Sequence, residues 1–227
     1  MSAPERSIDA AAEGIAELGA SIFARGLTPG RTGNLSCRVG DEIVVTPTGV
    51  SLGSLDPRHL AIIDLEGRPI RGAQPSKEAG MHAALYRARP TARGVVHLHS
   101  THAAAVSCLA DIDESSALPP LTAYFAMRVG RLPLVPYFAP GDRSLSIAVE
   151  EMAREHHAML LANHGSVVAA DDLLAAADAA EEIEETARLW LMLRDQPTRP
   201  LTPAQLSALE EARTRAAQKK ERRSCVG

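Results

Sequence analysis

Imidazoles crowd into one segment of the chain, Gly94-Val95-Val96-His97-Leu98-His99-Ser100-Thr101-His102. Residues i and i+2 of a β-strand point to the same side, so His97 and His99 can reach one cation while Leu98 between them faces a core. Two core histidines satisfied by carbonyls would show the same spacing. A third histidine, His164, stands in Leu160-Leu161-Ala162-Asn163-His164-Gly165, just after a second apolar run. Strand ends are where open α/β sheets gather ligands, so the three rings can converge. Three protein ligands with one position left open is the arrangement of a catalytic rather than a structural metal site. A turn histidine bonded locally is the competing reading of His164.

Glu78 closes the run Gly72-Ala73-Gln74-Pro75-Ser76-Lys77-Glu78, where a helix is expected to begin. An acid in that place is favoured by the helix macrodipole, so a capping role would account for it. Beside a metal, the same carboxylate is a general base and acid. Ser76 and Lys77 offer an anion a hydroxyl, backbone N–H groups and a cation. Two loops, Gly30-Arg31-Thr32-Gly33-Asn34-Leu35-Ser36 and Thr46-Pro47-Thr48-Gly49, mix glycine with short hydroxyl or amide side chains. That is the composition of a phosphate-cradling nest, and equally of an ordinary turn. His59, His82, His156 and His157 read as ordinary, although His82 lies one turn beyond Glu78 on the same helix face.

Strands and helices must intermix to position these residues. Ile8, Ala12, Ile15, Leu18 and Ile22 recur at three- and four-residue steps, which predicts a helix over 8–25 that stops at Gly26. Short β-like runs follow at 35–39, 42–46 and 60–64, the first two joined by a Gly40-Asp41 hairpin turn. A helix is predicted over 77–88 with Ser76 as its N-cap, then a buried strand over 94–97 and a small-residue helix over 100–109. Residues 118–140 are rich in proline and aromatics, and 145–156 read as helix. Apolar strands at 158–161 and 167–169 flank Asn163-His164-Gly165. The longest helix, 171–193, opens on a capping aspartate pair, and a polar helix after Pro203 ends in a Lys/Arg-rich run.

The whole chain, 227 residues with 45% hydrophobic and 23% charged side chains, suits one α/β layer domain. With 24 Lys+Arg against 28 Asp+Glu the net charge is −4, which gives no global attraction to nucleic acid or anionic lipid. No apolar run approaches the roughly 20 residues of a bilayer span. The first residues lack a basic segment followed by an apolar one, so a secretory signal is not expected and a cytoplasmic location is. Cys37, Cys108 and Cys225 are widely spaced and odd in number, and read as reduced bystanders.

Taken in order, the GRTGNLS, TPTG, PSKE, VVHLHSTHA and ANHG segments resemble the class II aldolase/adducin superfamily, the group of L-fuculose-phosphate aldolase and L-ribulose-5-phosphate 4-epimerase, over about residues 8–195. Within it, the PSKE and HLHSTHA blocks and the stretch over 118–142 are most similar to the 3-oxo-tetronate 4-phosphate decarboxylases. The resemblance implies a single domain over 1–227, an α/β/α sandwich around a mixed, largely antiparallel sheet, with a polar helical tail at 202–227 and a homotetrameric assembly. It implies one zinc ion per subunit held by His97, His99 and His164, with Glu78 closing the empty site and becoming the acid/base when substrate arrives. It assigns the substrate phosphate to Asn34, Thr48, Gly49 and Ser76, with Lys77 beside them.

Tyr124 matches a tyrosine that donates a proton from an adjoining subunit in the aldolases, a role that a decarboxylation leaves open, as it leaves open whether Tyr137 belongs to the site. Lys77 stands where the aldolases carry a second small hydroxyl residue. Its charge suits a substrate with both carboxylate and phosphate, or else makes a surface ion pair. The implied reaction is zinc-dependent decarboxylation of 3-oxo-tetronate 4-phosphate to dihydroxyacetone phosphate and CO₂ in acid-sugar catabolism. A zinc sugar-phosphate aldolase of the fuculose 1-phosphate type is the alternative, and a non-catalytic zinc scaffold stands further off. The expected partner is a small phosphorylated sugar acid, not nucleic acid or membrane.

Overall fold

The computed structural model describes residues 7–224; residues 1–6 and 225–227, with Cys225 among them, lie outside the described residues. Helix α1 (Ile8–Ala24) begins where the Ser7 hydroxyl accepts a hydrogen bond from the Ala10 N–H, and its Ala11, Ile15, Leu18 and Ile22 are buried at the predicted spacing. Strands β1 (Asn34–Val39) and β2 (Glu42–Val45) form the expected hairpin, with Gly40 in the left-handed region. They are followed by β3 (Ala61–Asp64), β4 (Pro69–Gly72), α2 (Ala79–Ala88), β5 (Gly94–Leu98) and α3 (Thr101–Ser107). The remainder is α4 (Ala123–Arg128), β6 (Leu134–Val135), α5 (Arg143–Met152), β7 (Ala158–Leu161), β8 (Gly165–Ala170), α6 (Leu173–Leu193) and α7 (Pro203–Ser224).

Four elements depart most from the sequence-based expectation. Strand β4 was not anticipated because all four of its residues are exposed on a sheet edge, where proline is tolerated and no apolar pattern is needed. The segment over 118–140 contains the short α4 and the two-residue β6, neither long enough to show a period. Helix α2 starts two residues later than predicted, so that Glu78 rather than Ser76 occupies its N-cap position.

All eight strands share one sheet in the order β4-β3-β2-β1-β5-β8-β7-β6, antiparallel at every step except the parallel pair β6 and β7. Side chains alternate between its faces. Leu35, Val44, Val96, Leu98, Leu160 and Val168 pack on one side against α1, α3, α4 and α6. Ile43, Val45, Ile63, Val95, Met159 and Val167 pack on the other against α2 and α5. Each such side chain, fully withdrawn from water, contributes roughly 1.5–3 kcal/mol before entropy is counted. The result is a single mixed α/β domain, an α/β/α sandwich. Cys37 lies in the core and Cys108 is exposed. Among the described residues no helix is long and apolar enough to cross a membrane.

Candidate metal and substrate site

Alternation along β5 sends Val96 and Leu98 to the α1/α6 side, so Val95 and His97 face α2 and α5. His97 is paired across the sheet with Asn34 of β1, and His99 follows immediately after the strand ends. His164 sits in the three-residue turn that joins β7 to β8, a turn closed by Asn163 at φ 55°. A Cβ on Gly165 would meet the Leu98 carbonyl oxygen at 2.2 Å, so only glycine lets this turn lie against the end of β5. The Ser107 hydroxyl accepts from the His164 N–H at 3.2 Å. Glu78 makes no side-chain cap for α2; its carboxylate turns inward instead, which removes the capping explanation for an acid there.

These four side chains meet. His99 Nε2 lies 3.0 Å from His97 Nε2 and 3.1 Å from His164 Nε2. Glu78 Oε2 lies 3.3 Å from His97 Nε2, and Oε1 lies 3.1 Å from His164 Nε2. His97 donates Nδ1–H to the Ser166 carbonyl at 2.9 Å, which leaves its Nε2 lone pair directed at the cluster. Glu78 Oε1 is buried and accepts no hydrogen bond of acceptable geometry. Converging nitrogen lone pairs and a buried carboxylate oxygen with no donor are what a cation would satisfy. Metal–nitrogen bonds of about 2.0–2.1 Å in a tetrahedron place neighbouring donors about 3.3 Å apart, close to the spacings found. The residues therefore fit a divalent metal, with His97, His99, His164 and Glu78 as the donors that could hold it.

Electrostatics agree with that reading. Burial alone would raise the Glu78 carboxyl, but the charge on His97, the close approach of the His164 and His97 imidazoles and the hydrogen bond from Asn34 outweigh it and hold the group well below the usual carboxylate range. Burial, reinforced by His97 and His164, pushes His99 down to about 3, so it is neutral and able to ligate at physiological pH. His97 is shifted the other way, because the Glu78 carboxylate outweighs its burial.

A cavity of about 250 Å³ opens onto the cluster, and Asn34, Thr48, Gly49, Ser76 and Lys77 all line it. Two backbone hydrogen bonds strap their loops together, Ser76 N–H to the Thr46 carbonyl at 3.1 Å and Thr48 N–H to the Gln74 carbonyl at 3.0 Å. Thr48 can thus offer an anion its hydroxyl but not that N–H. Arg31 also lines the cavity and was not singled out from the sequence. Its signal was a cation inside the glycine-rich loop that already drew attention. Tyr124 is 63% exposed on α4 and lines a different cleft, so a single chain does not bring it to the cluster. Tyr137 is likewise exposed and away from the cavity lining.

Among the remaining histidines, His59 pairs with Asp56 at 3.0 Å on the surface. His102 Nδ1 lies 2.7 Å from Glu184 of α6, whose carboxylate also accepts the N–H groups of His102 and Ala103 at the start of α3. His82 is less ordinary than its sequence suggested: it is fully buried, 2.5 Å from Asn34 Oδ1 through Nε2 and 2.7 Å from Ser36 Oγ through Nδ1.

Residues 13–191 match the class II aldolase and adducin N-terminal domain. The chain belongs to this family. It is similar to a 3-oxo-tetronate 4-phosphate decarboxylase of Haemophilus influenzae, with 46% identity covering 86% of this chain and 93% of the relative. It is also similar to an L-fuculose phosphate aldolase of Escherichia coli, at 36% identity covering 73% of this chain and 75% of that one. Among solved structures, that of YgbL from Escherichia coli superposes with a TM-score of 0.87 at 42% identity, covering 90% of this chain and 99% of that one. The fold expected of this family, a large and mostly antiparallel sheet between helices, is the fold observed.

Proposed function

We propose that this chain is a carboxy-lyase that converts 3-oxo-tetronate 4-phosphate into dihydroxyacetone phosphate and CO₂, with zinc as its metal at one ion per subunit. The observation that carries the reading is the 46% identity to a decarboxylase of that name, over nearly all of that relative's length. His97, His99 and His164 would hold the ion through Nε2, with Glu78 beside it. Once bound, the ion supplies Lewis acidity toward the ketone, worth several kcal/mol as charge develops on that oxygen.

The other tasks fall to the chain's own side chains. Lys77 and Arg31 face a doubly anionic substrate across the cavity, and the Thr48 and Ser76 hydroxyls, Gly49 and one Asn34 amide hydrogen are the groups for its phosphate. Breaking the bond to the carboxylate leaves an electron pair on the adjoining carbon, which must receive a proton. Glu78 is the acid placed to deliver it. The carboxylate is ionised where it lies, so the proton it passes on must first come from solvent water, and taking it up becomes easier once substrate separates the carboxylate from the imidazoles that depress it. The homotetramer, and Tyr124 reaching a neighbouring subunit's cavity, belong to the same proposal, which the exposure of Tyr124 on α4 supports. So does a cytoplasmic location.

The same donor set serves a retro-aldol cleavage, and the likeness to an L-fuculose phosphate aldolase favours that as the second reading. Zinc-loaded protein incubated separately with 3-oxo-tetronate 4-phosphate and with fuculose 1-phosphate is expected to release CO₂ from the first and no aldehyde from the second. Aldehyde without CO₂ would move the chain to the aldolases. Glu78→Gln should keep its metal and lose about 10²–10⁴ in turnover, the contribution of a positioned acid/base. A near-normal rate in that variant would strip Glu78 of its role, and metal binding with no turnover of either substrate by the wild type would leave a scaffold.

A further inference from the structure

Behind Glu78 runs a line of buried polar side chains of which the proposed chemistry uses only Asn34. Helix α2 presents Glu78, His82 and Tyr86 at four-residue steps, and β1 presents Asn34 and Ser36 at a two-residue step on the facing side. Four helical residues rise about 6 Å and two strand residues span about 6.7 Å, so the two rows come into register. Asn34 Nδ2 donates to Glu78 Oε2 at 2.8 Å, and Asn34 Oδ1 lies 2.5 Å from His82 Nε2. His82 Nδ1 lies 2.7 Å from Ser36 Oγ, and the Tyr86 hydroxyl donates to the Ser36 carbonyl at 3.0 Å. Asn34, Ser36, His82 and Tyr86 are all buried.

Only one assignment of protons satisfies this line. The amide oxygen of Asn34 needs a donor, so His82 carries its proton on Nε2, and its Nδ1 must accept from the Ser36 hydroxyl. Burial, aided by the charge on His97, keeps the ring neutral by pushing it down to about 3. With Oδ1 tied to His82, the Asn34 NH₂ group points to Glu78, and its second hydrogen is left for the cavity that Asn34 lines. A reversed amide would present oxygen to a carboxylate and to an incoming phosphate, and NH₂ to an N–H.

We infer that His82 is a positioning residue, acting through Asn34, that fixes one amide orientation and thereby aims the Glu78 carboxylate at the metal donors and an amide hydrogen at the substrate. The inference rests on Glu78 serving beside a metal, as proposed above. Metal affinity is read without substrate, so the test separates the two: a protein that turns over neither substrate still reports on His82. His82→Met should weaken zinc binding, measured by competition with a chromophoric chelator, by about tenfold, the lower end for a group behind a ligand. In a protein that does release CO₂, kcat/KM should fall with it. His82→Gln, which can still donate to Asn34, should restore both to within about twofold, and in an Asn34→Ala background His82→Met should have no further effect on zinc affinity. If His82→Met does not fold, Ser36→Ala, which removes the hydroxyl that sets the ring's tautomer, should give a smaller loss of zinc affinity that also vanishes with Asn34→Ala. Unchanged zinc affinity in His82→Met, or an equal loss with and without Asn34, would overturn the inference.

Discussion

The floor of the cavity and its rim are built on opposite terms. On the floor three of the four donors are held from behind, His97 by the Ser166 carbonyl, His164 by Ser107 at its backbone and Glu78 by Asn34, and His99 lies between the other two imidazoles. On the rim, Arg31 and Lys77 are exposed, and neither is tied to another described residue by an ion pair or hydrogen bond. The contrast shows where precision is needed. A metal tolerates only a few tenths of an ångström in its donors, so they are set in place before it arrives. A phosphate can be met by long, mobile cations that order around it on binding, at some entropic cost.

The sharpest way to break this comparison is to remove a floor donor. His164→Ala should release zinc, with the metal-to-protein ratio falling well below one, and turnover should drop by about 10³ or more, since Lewis-acid assistance worth several kcal/mol goes with it. Unchanged zinc stoichiometry would take His164 out of the donor set.

An intermediate effect is expected from acid. With its pKa near 3 in the fold against an ordinary 6.5, His82 binds its proton more readily in the unfolded chain, so metal-free protein should lose stability as pH falls below about 6.5. The loss is about 1.4 kcal/mol per pH unit for such a group, roughly a hundredfold in the folding equilibrium between pH 6.5 and 4.5. His99 adds in the same direction, whereas the depressed Glu78 carboxyl joins only below its ordinary value of 4.5 and the raised His97 changes stability only above 6.5. Urea titrations across this window should show a shallower slope for His82→Gln than for wild type. An equal slope would mean that His82 is not held neutral.

The smallest effect belongs to the rim. Lys77→Ala should raise KM for the phosphorylated substrate by about fivefold, a partly exposed cation being worth roughly 1 kcal/mol, with kcat and zinc content nearly unchanged. It should also leave the acid slope of the metal-free protein as it was. A collapse of kcat instead would move Lys77 from the rim to the floor.

What could be read from the residues alone follows the same division. His97 and His99 were legible because a strand repeats every two residues, and His164 because it ends an apolar run; both patterns are local. Glu78 stood out at the head of a helix, although its side chain proved to face His97 and His164 rather than cap the helix. His82 was not legible, because a histidine four residues along a helix looks the same whether it faces solvent, a core or a row of strand side chains 46 and 48 positions away. Arg31 was hidden by the turn chemistry around it, and β4 by the absence of any apolar residue that it had to bury. Tyr124 lies beyond what one chain positions.

Glu184 extends this dependence to the far layer of the sandwich. The stretch that carries His99 runs straight into α3, and the first amides of that helix hang on a carboxylate more than eighty positions later, on α6. A slip of α6 by one turn would withdraw support from two amides and an imidazole together and loosen the segment just past His97 and His99. A remote change in α6 would therefore surface as a fault in the histidine cluster, with no residue of the cluster itself altered.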